Sequence, residues 1–344
     1  MLRWFEETDT KRPGVISSRI RLARNIENYT FPSSLSEKES TELVHSLEFG
    51  LKDLNEVENK TYRFAMLDDL DDLERFALME RRILNSATVT RKEPTGLYVS
   101  KDEDASIILN GDDHIRLQLL SKGLCLEELW ERADRYDDYI NQRFCYAFDD
   151  RYGYLTSFPT NMGTGLKASV VVHLPMLSLG RKFPSLITDM SRLGTAVRGV
   201  YGEGGDNFGA LYEVSNQKTL GQSEKEIVET VTKAANQLAN QEMQVRKMTV
   251  QRRRLEREDE IYKSYGVLKY ARRLNARDAM IFLSQLMAGL NDGLLETKEE
   301  CSIYSLMLGV QPANLQKNID RPLNKEELDV VRADFIRKKL PELK

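Results

Sequence analysis

Four polar clusters interrupt the apolar pattern expected of core strands. In Ser17-Ser18-Arg19-Ile20-Arg21 the residues alternate, so a strand here carries Ser17, Arg19 and Arg21 on one face. Two neighbouring guanidiniums, each a planar fork of five donors, suit an anion, although a solvated sheet surface is the plainer alternative. Gly111-Asp112-Asp113-His114-Ile115-Arg116 offers an acid–base and cation-binding edge, or a polar turn pivoting on Asn110-Gly111. Pro159 to Ser169 mixes glycines and hydroxyls with Lys167. Its spacing is not that of a P-loop and a strand follows, which leaves a backbone nest with one cation or an ordinary loop. Arg198 to Gly209 sets five glycines around Glu203, a loop able to close over a substrate or a flexible surface hairpin. Cations, a few acids and a glycine-rich loop in one domain are the parts that phosphoryl transfer needs.

The elements that must position these residues follow from periodicity. Val15 to Leu22, Leu97 to Val99, Ala105 to Leu109, His114 to Gln118, Tyr154 to Thr156 and Ala168 to Leu174 read as strands. Residues 194 to 214 read as strand, glycine-rich loop and strand. Three- and four-residue apolar spacing predicts helices over Glu37–Leu54, Asp68–Asn85, Leu126–Phe144 and Glu224–Leu238. Beyond residue 245 strand signals stop. Helical patterns there are broken near Leu274 to Arg277, Asn291 to Gly293 and Asp320 to Pro322. The expected class is α+β: an N-terminal extension (1–14), a mixed domain (15–244) and an all-helical domain (245–344).

Composition narrows the function classes. Across 344 residues, 41% are hydrophobic, enough for a core and too many for wholesale disorder. A net charge of −4 disfavours a globally basic nucleic-acid binder, and Arg252 to Arg254 reads as a solvated helix face. Cys125, Cys145 and Cys301 stand far apart, so neither a disulfide framework nor a zinc ribbon is expected; they read as inert core thiols. No metal site, signal peptide or membrane span is expected, and a cytoplasmic protein is.

The four clusters carry a resemblance. Ser17 to Asn25, Asn110 to Arg116, Thr156 to Asn161, and Arg198 to Glu203 with Val214-Ser215-Asn216 resemble, in order, the motifs of the guanidino-kinase (phosphagen kinase catalytic domain) superfamily. Within it the chain is similar to the bacterial protein-arginine kinases (McsB type). The resemblance implies a largely antiparallel sheet flanked by helices, with a helical C-terminal dimerisation and regulatory domain. It also implies that the helical N-terminal domain of small-molecule phosphagen kinases is missing.

It implies ATP with Mg²⁺ held by Ser17, Ser18, Arg19, Ile20, Arg21, Arg82, Arg116, Lys167, Ala168, Ser169, Val170, Val171 and Arg198 to Glu203 (Gly199, Val200, Tyr201 and Gly202 between them). The catalytic set would be Asp112, Glu203 and Arg198. A phosphoarginine pocket, degenerate in this chain, would use Leu328, Asp329, Arg332 and Ala333. Implied partners are proteins bearing exposed arginine, a zinc-binding activator, a heat-shock repressor, a Clp-type unfoldase and a second copy of the chain. The implied activity is arginine phosphorylation in stress response and protein quality control. The chain departs from the family pattern at Arg82 (usually His), Asp112 (usually Glu), Phe158 (usually Cys), Lys167 (usually Arg) and Leu328 (usually Arg). Those departures keep a second reading open, a non-catalytic adaptor on the same fold. A small-guanidine kinase is a third.

Overall fold

The computed structural model describes residues 2–8, 12–201 and 207–344. Its centre is an eight-stranded sheet built from β1 (Val15–Arg24), β2 (Tyr62–Met66), β3 (Gly96–Ser100), β4 (Ala105–Leu109), β5 (Ile115–Lys122), β8 (Leu166–His173), β9 (Thr195–Gly199) and β10 (Leu211–Asn216). The remaining strands, β6 (Phe148–Asp149) and β7 (Gly153–Tyr154), form a separate two-stranded ribbon. The sheet order is β2-β3-β4-β5-β1-β8-β10-β9, and every neighbouring pair is antiparallel.

Antiparallel registry carries the two faces across the sheet. Ile20, Leu22, Leu117, Leu119, Leu166, Ala168, Val170, Val172 and Val214 share one face, all buried. They meet the apolar stripes of α1 (Glu37–Gly50), α4 (Leu126–Asn141) and α6 (Glu224–Tyr270) in one core. Each fully buried Leu or Ile there contributes roughly 1.5–3 kcal/mol. The opposite face carries Ser17, Arg19 and Arg21 of β1, Arg116 and Gln118 of β5, Lys167 and Ser169 of β8, Glu213 and Ser215 of β10 and Arg198 of β9.

Shorter helices punctuate the sheet: α2 (Asp72–Glu80), α3 (Ser86–Val89) and α5 (Phe183–Arg192). The single helix expected over Asp68–Asn85 is in fact a 3₁₀ turn and the shorter α2, which ends at Glu80; α3 starts only at Ser86. The chain leaves α2 at Arg82, whose φ of +69° is left-handed and cannot continue a helix. Helix α6 spans 47 residues as two helical stretches that meet at a kink, and it crosses residue 244 without a break, since no Gly or Pro occurs from 222 to 265. Its one non-helical residue is Arg253. Ser223 and Glu226 close its N-terminus as a reciprocal capping box.

The remaining helices, α7 (Ala276–Asn291), α8 (Ile303–Gly309), α9 (Pro312–Gln316) and α10 (Lys325–Lys339), form a second core. That core includes Leu120, Val171 and Leu211 of the sheet, and Trp4 and Phe5 of the N-terminal segment. The helical part thus sits on one end of the arginine-bearing face. His173 Nε2 meets Ser284 Oγ of α7 at 2.7 Å there. Among the described residues no helix is long and apolar enough to cross a membrane. Cys125 is buried and Cys301 half-buried, but Cys145 is exposed, contrary to the expectation of three core thiols.

Candidate active site

Strand periodicity does what the sequence implies for the central cations. Arg19 lies opposite Ser169, and Arg21 lies between Gln118 and Lys167, all on the face away from the main core. Arg19 donates to Ser169 Oγ (3.2 Å) and pairs with Glu213 (2.7 Å). Arg82 reaches the same Glu213 carboxylate from the end of α2. Lys167 donates to the carbonyl of Asn216.

Gathering these cations in a half-dry place has an electrostatic cost. Burial lowers Arg19 to about 9, with Glu213 opposing and Arg82 and Arg21 adding to the fall. Arg21 is brought to about 10, first by burial and then by Arg116, and Arg116 to about 10 by burial and Arg19. Lys167 falls to about 8, by burial and then by Arg21. Glu213 goes the other way: burial raises it, but Arg19, Arg82, Arg21 and Lys167 outweigh that and hold it at about 2. Nε of Arg21 and Nε of Arg116 are buried without a hydrogen-bond partner. Buried guanidinium donors left open on one face are what a polyanion such as a triphosphate tail would satisfy. Asp112 is near enough to act electrostatically on both Arg21 and Arg116, which puts one carboxylate at the rim of the cluster.

Much of the surrounding motif is framework. The Asp113 carboxylate accepts from Asn25 Nδ2 (2.8 Å) and from the Ser157 N–H (2.6 Å). The His114 N–H donates to Asn25 Oδ1 (2.8 Å), and its Nδ1 accepts from the Ile26 N–H (2.9 Å). Its Nε2, 2.9 Å from the Thr30 carbonyl, then carries the ring proton. His114 is a neutral girder, lowered by burial, and not the acid–base group its sequence neighbours suggest. Together Asp113 and His114 tie the Asp112 loop to β1 and to the Thr156–Asn161 segment. Phe158 is half exposed.

The glycines of the Pro159–Ser169 segment serve close packing rather than an anion nest. A Cβ at Gly163 would meet the Thr219 carbonyl at 2.4 Å, and one at Gly165 would meet Arg24 Nη1 at 2.5 Å. Both glycines also have positive φ.

Several expected nucleotide residues point away from this face. Ile20, Ala168 and Val170 are fully buried in the main core. Ser18 accepts from the Cys125 N–H and donates to the Gly123 carbonyl, at the start of α4. Period two forces this split, because adjacent residues of β1 and of β8 point to opposite faces of the sheet. Val171 is on the cationic side but covered by the helical part, as are Val200 and Tyr201 in part. Ser17 is buried on that face. Arg198 and Gly199 are exposed at the end of β9. Gly202 and Glu203 lie outside the described residues.

At the expected phosphoarginine pocket, Arg332 donates Nε to the Val310 carbonyl (3.0 Å) and Nη1 to the Leu274 carbonyl (3.0 Å) and Asp329 (2.7 Å). Asp329, Arg332 and Ala333 are buried, and Leu328 is half-buried. In this arrangement Arg332 staples α10 to α7 and α8. The residue that motif reading overlooked is Glu213. It sits one strand step from the Ser215-Asn216 motif and opposite Arg198, so the alternation of β10 would have found it.

Among the described residues no three His, Cys, Asp or Glu gather as a metal site. Residues 44–245 match the family model described as "ATP:guanido phosphotransferase, C-terminal catalytic domain". Residues 254–344 match the one described as "Protein-arginine kinase McsB C-terminal domain". A protein-arginine kinase of Symbiobacterium thermophilum is 38% identical over 342 residues, covering 98% of this chain and 96% of its own length. One of Bacillus subtilis is 37% identical over 337 residues, covering 98% and 93%. Among solved structures, lombricine kinase superposes with a TM-score of 0.57 at 25% identity, over 69% of this chain and 71% of that one. The duplicated taurocyamine kinase of Schistosoma mansoni with bound transition-state analogue components gives 0.60 over 96% of this chain and 43% of that one, at 20% identity, a likeness of fold alone. The sheet, its cationic face and the appended helices are therefore those of a chain that belongs to the protein-arginine kinase family of guanidino-phosphotransferases.

Proposed function

We propose that this chain transfers the γ-phosphoryl group of ATP to arginine side chains of proteins. The observation that carries the reading is the meeting of Arg19, Arg21, Arg116 and Lys167 on one sheet face, with buried donors open and Asp112 at the rim. In this reading the cations align and neutralise the phosphates, and Arg198 joins them from the end of β9. Mg²⁺ arrives with the nucleotide and shares its charge. Asp112, with Glu203, holds the incoming guanidinium and takes one of its protons, which matters because a guanidinium with a pKa above about 12 is no nucleophile. A nitrogen–phosphorus bond forms at the γ-phosphorus, its bond to the ADP oxygen breaks, and the proton stays on the carboxylate.

The test is direct. Full-length protein with MgATP and an arginine-rich protein substrate should yield phosphate on arginine that is labile in acid and stable in base. Asp112→Ala and Glu203→Ala should each abolish it. Intact ATP binding with no turnover, even with a zinc-binding activator added, would instead support an adaptor role. The heat-shock repressor and Clp-type unfoldase expected as partners belong to the same proposal. So does a homodimer, for which Leu255 and Tyr262, exposed seven residues apart on the stretch of α6 beyond Arg253, offer an apolar patch. A monomeric mass by light scattering would remove that part.

Lys167 gives the reading a pH signature. Its cation is needed for phosphate, and it is present below about 8 and lost as pH rises through that value. Affinity for ATP should therefore weaken from about pH 8 upward, before the neighbouring Arg19 and Arg21 begin to discharge. In Lys167→Arg the weakening should move up by a unit or more, since an arginine in the same place keeps its proton to higher pH than a lysine. Identical pH profiles for the two proteins would exclude Lys167 as the group responsible.

A further inference from the structure

Three consecutive residues at the end of α2 hold three different things. Glu80 accepts from the backbone N–H groups of Ala313 and Asn314 and from Asn314 Nδ2, each at 2.8 Å, so it caps α9 of the helical part. Arg81 donates to Asn314 Oδ1 (2.8 Å) and to Glu103 Oε2 (2.8 Å). Arg82 turns the other way, into the cationic face, and pairs with Glu213.

Arg82 makes that turn with a left-handed backbone, φ +69°, which is unfavourable for a residue with a Cβ. Such a conformation persists only where the surroundings over-determine it. Here its N–H donates to the Met79 carbonyl (2.8 Å), and its own carbonyl accepts from Gln118 Nε2 (2.8 Å). Tyr304 of α8, again from the helical part, lies beside the guanidiniums of Arg82 and Arg19. Lys317, just past α9, pairs with Glu74 on α2 itself. The helical part therefore grips α2 at both Glu74 and Glu80, and the next turn of chain delivers Arg82.

Resting on the nucleotide reading above, we propose that Glu80 is a positioning residue: by fastening the end of α2 to α9 it sets the Arg82 guanidinium, so that the seating of the helical part tunes the grip of the cationic face on ATP. The route is short and covalent. One peptide bond plane separates Arg81, held by Asn314, from Arg82, and any shift of α9 is transmitted through it. A loosened Arg82 could relax from its left-handed backbone and withdraw from the face, which weakens phosphate binding while leaving Asp112 and the guanidine end in place.

The experiment is a double-mutant cycle on the full-length chain, reading KM for ATP, kcat and MgATP binding by titration calorimetry. Glu80→Ala should raise KM for ATP on the order of tenfold with kcat changed far less, as expected for lost substrate grip. Asn314→Ala, which removes a partner of both Glu80 and Arg81, should move KM in the same sense by a smaller factor. It carries the test if Glu80→Ala does not fold. In an Arg82→Ala background both effects should shrink to about twofold or less, because coupled residues are not additive. Unchanged KM in both single variants overturns the proposal, and so does a rise that persists undiminished without Arg82. An Arg82→Ala protein that binds ATP as tightly as the unmodified chain overturns it too, while leaving the functional reading intact. A wild-type chain that takes up no MgATP removes that reading itself, and the proposal with it.

Discussion

Arg21→Ala should lower kcat/KM by on the order of 10²–10³, the loss typical of removing one preorganised donor from a charged transition state, and should not lower thermal stability. The two halves have one cause. Arg21 is half-buried beside Arg116 and Arg82, and desolvation and these like charges pull its pKa down to about 10. A base whose pKa is lower in the folded chain than in the unfolded one has its charged form disfavoured by folding, so deleting it relieves the fold. Glu213 offsets part of this repulsion, but its carboxylate bonds to Arg19 and Arg82, not to Arg21. Arg21 keeps a buried Nε with no partner, the mark of a donor held for a ligand. Arg21→Lys should recover little, because an ammonium presents a point charge where a fork is needed. Steady-state kinetics in ATP together with a melting curve check both halves. Activity within threefold of the parent, or a large fall in melting temperature, would show that Arg21 is a structural residue.

The cluster that makes this prediction was legible in part. Arg19 and Arg21 are two apart in an alternating stretch, and two-residue periodicity puts them on one face whatever the tertiary fold. The same rule separates Ala168 and Val170 from Lys167 and Ser169, a division that listing a motif as consecutive residues conceals. Glu213 and Arg82 were harder. Their meeting depends on β10 lying beside β8 and on a left-handed turn after α2, and no local pattern encodes either. The resemblance marked Arg82 as unusual without showing that an acid had come to face it.

The apolar run from Ala168 to Leu174 held a clue to the helical part. A strand apolar on both faces is covered on both, and here α7 and α8 cover the end of the cationic face around Val171. The Asp112-Asp113-His114 triplet misleads for the opposite reason. Side chains rich in chemistry are also good at holding loops, and only the partners found at Asn25, Ile26 and Ser157 separate the girders from the acid at the rim.

Arg24→Ala should cost about 3–5 kcal/mol of stability, the penalty for removing one member of a buried ion pair. Arg24 follows Arg21 by three residues on β1 but points to the opposite face, into the main core. Its side chain is 2% exposed and grips Asp137 of α4, with Nη2 2.7 Å from Oδ2 and Nε 3.1 Å from each carboxylate oxygen. Nη1 donates to the carbonyls of Ala23 (2.9 Å) and Thr164 (3.0 Å), and the ring of Tyr154 lies 3.6 Å from Arg24 Cζ. One side chain therefore joins β1, α4, the loop before β8 and the β6–β7 ribbon. Removing it strands the Asp137 carboxylate, whose other partner is the Tyr146 hydroxyl at 2.9 Å, and opens a cavity beside Gly165. Urea unfolding of Arg24→Ala and Asp137→Ala should each show the loss, and the double variant should cost clearly less than their sum, since no lone buried charge remains. A loss below 1 kcal/mol in the single variants, or strict additivity, would mean that water reaches the pair and that β1 is held by its strand neighbours alone. If the loss is as large as expected, the strand that presents Arg19 and Arg21 to one side is anchored by Arg24 on the other, and activity in Arg24→Ala should fall even where most molecules remain folded.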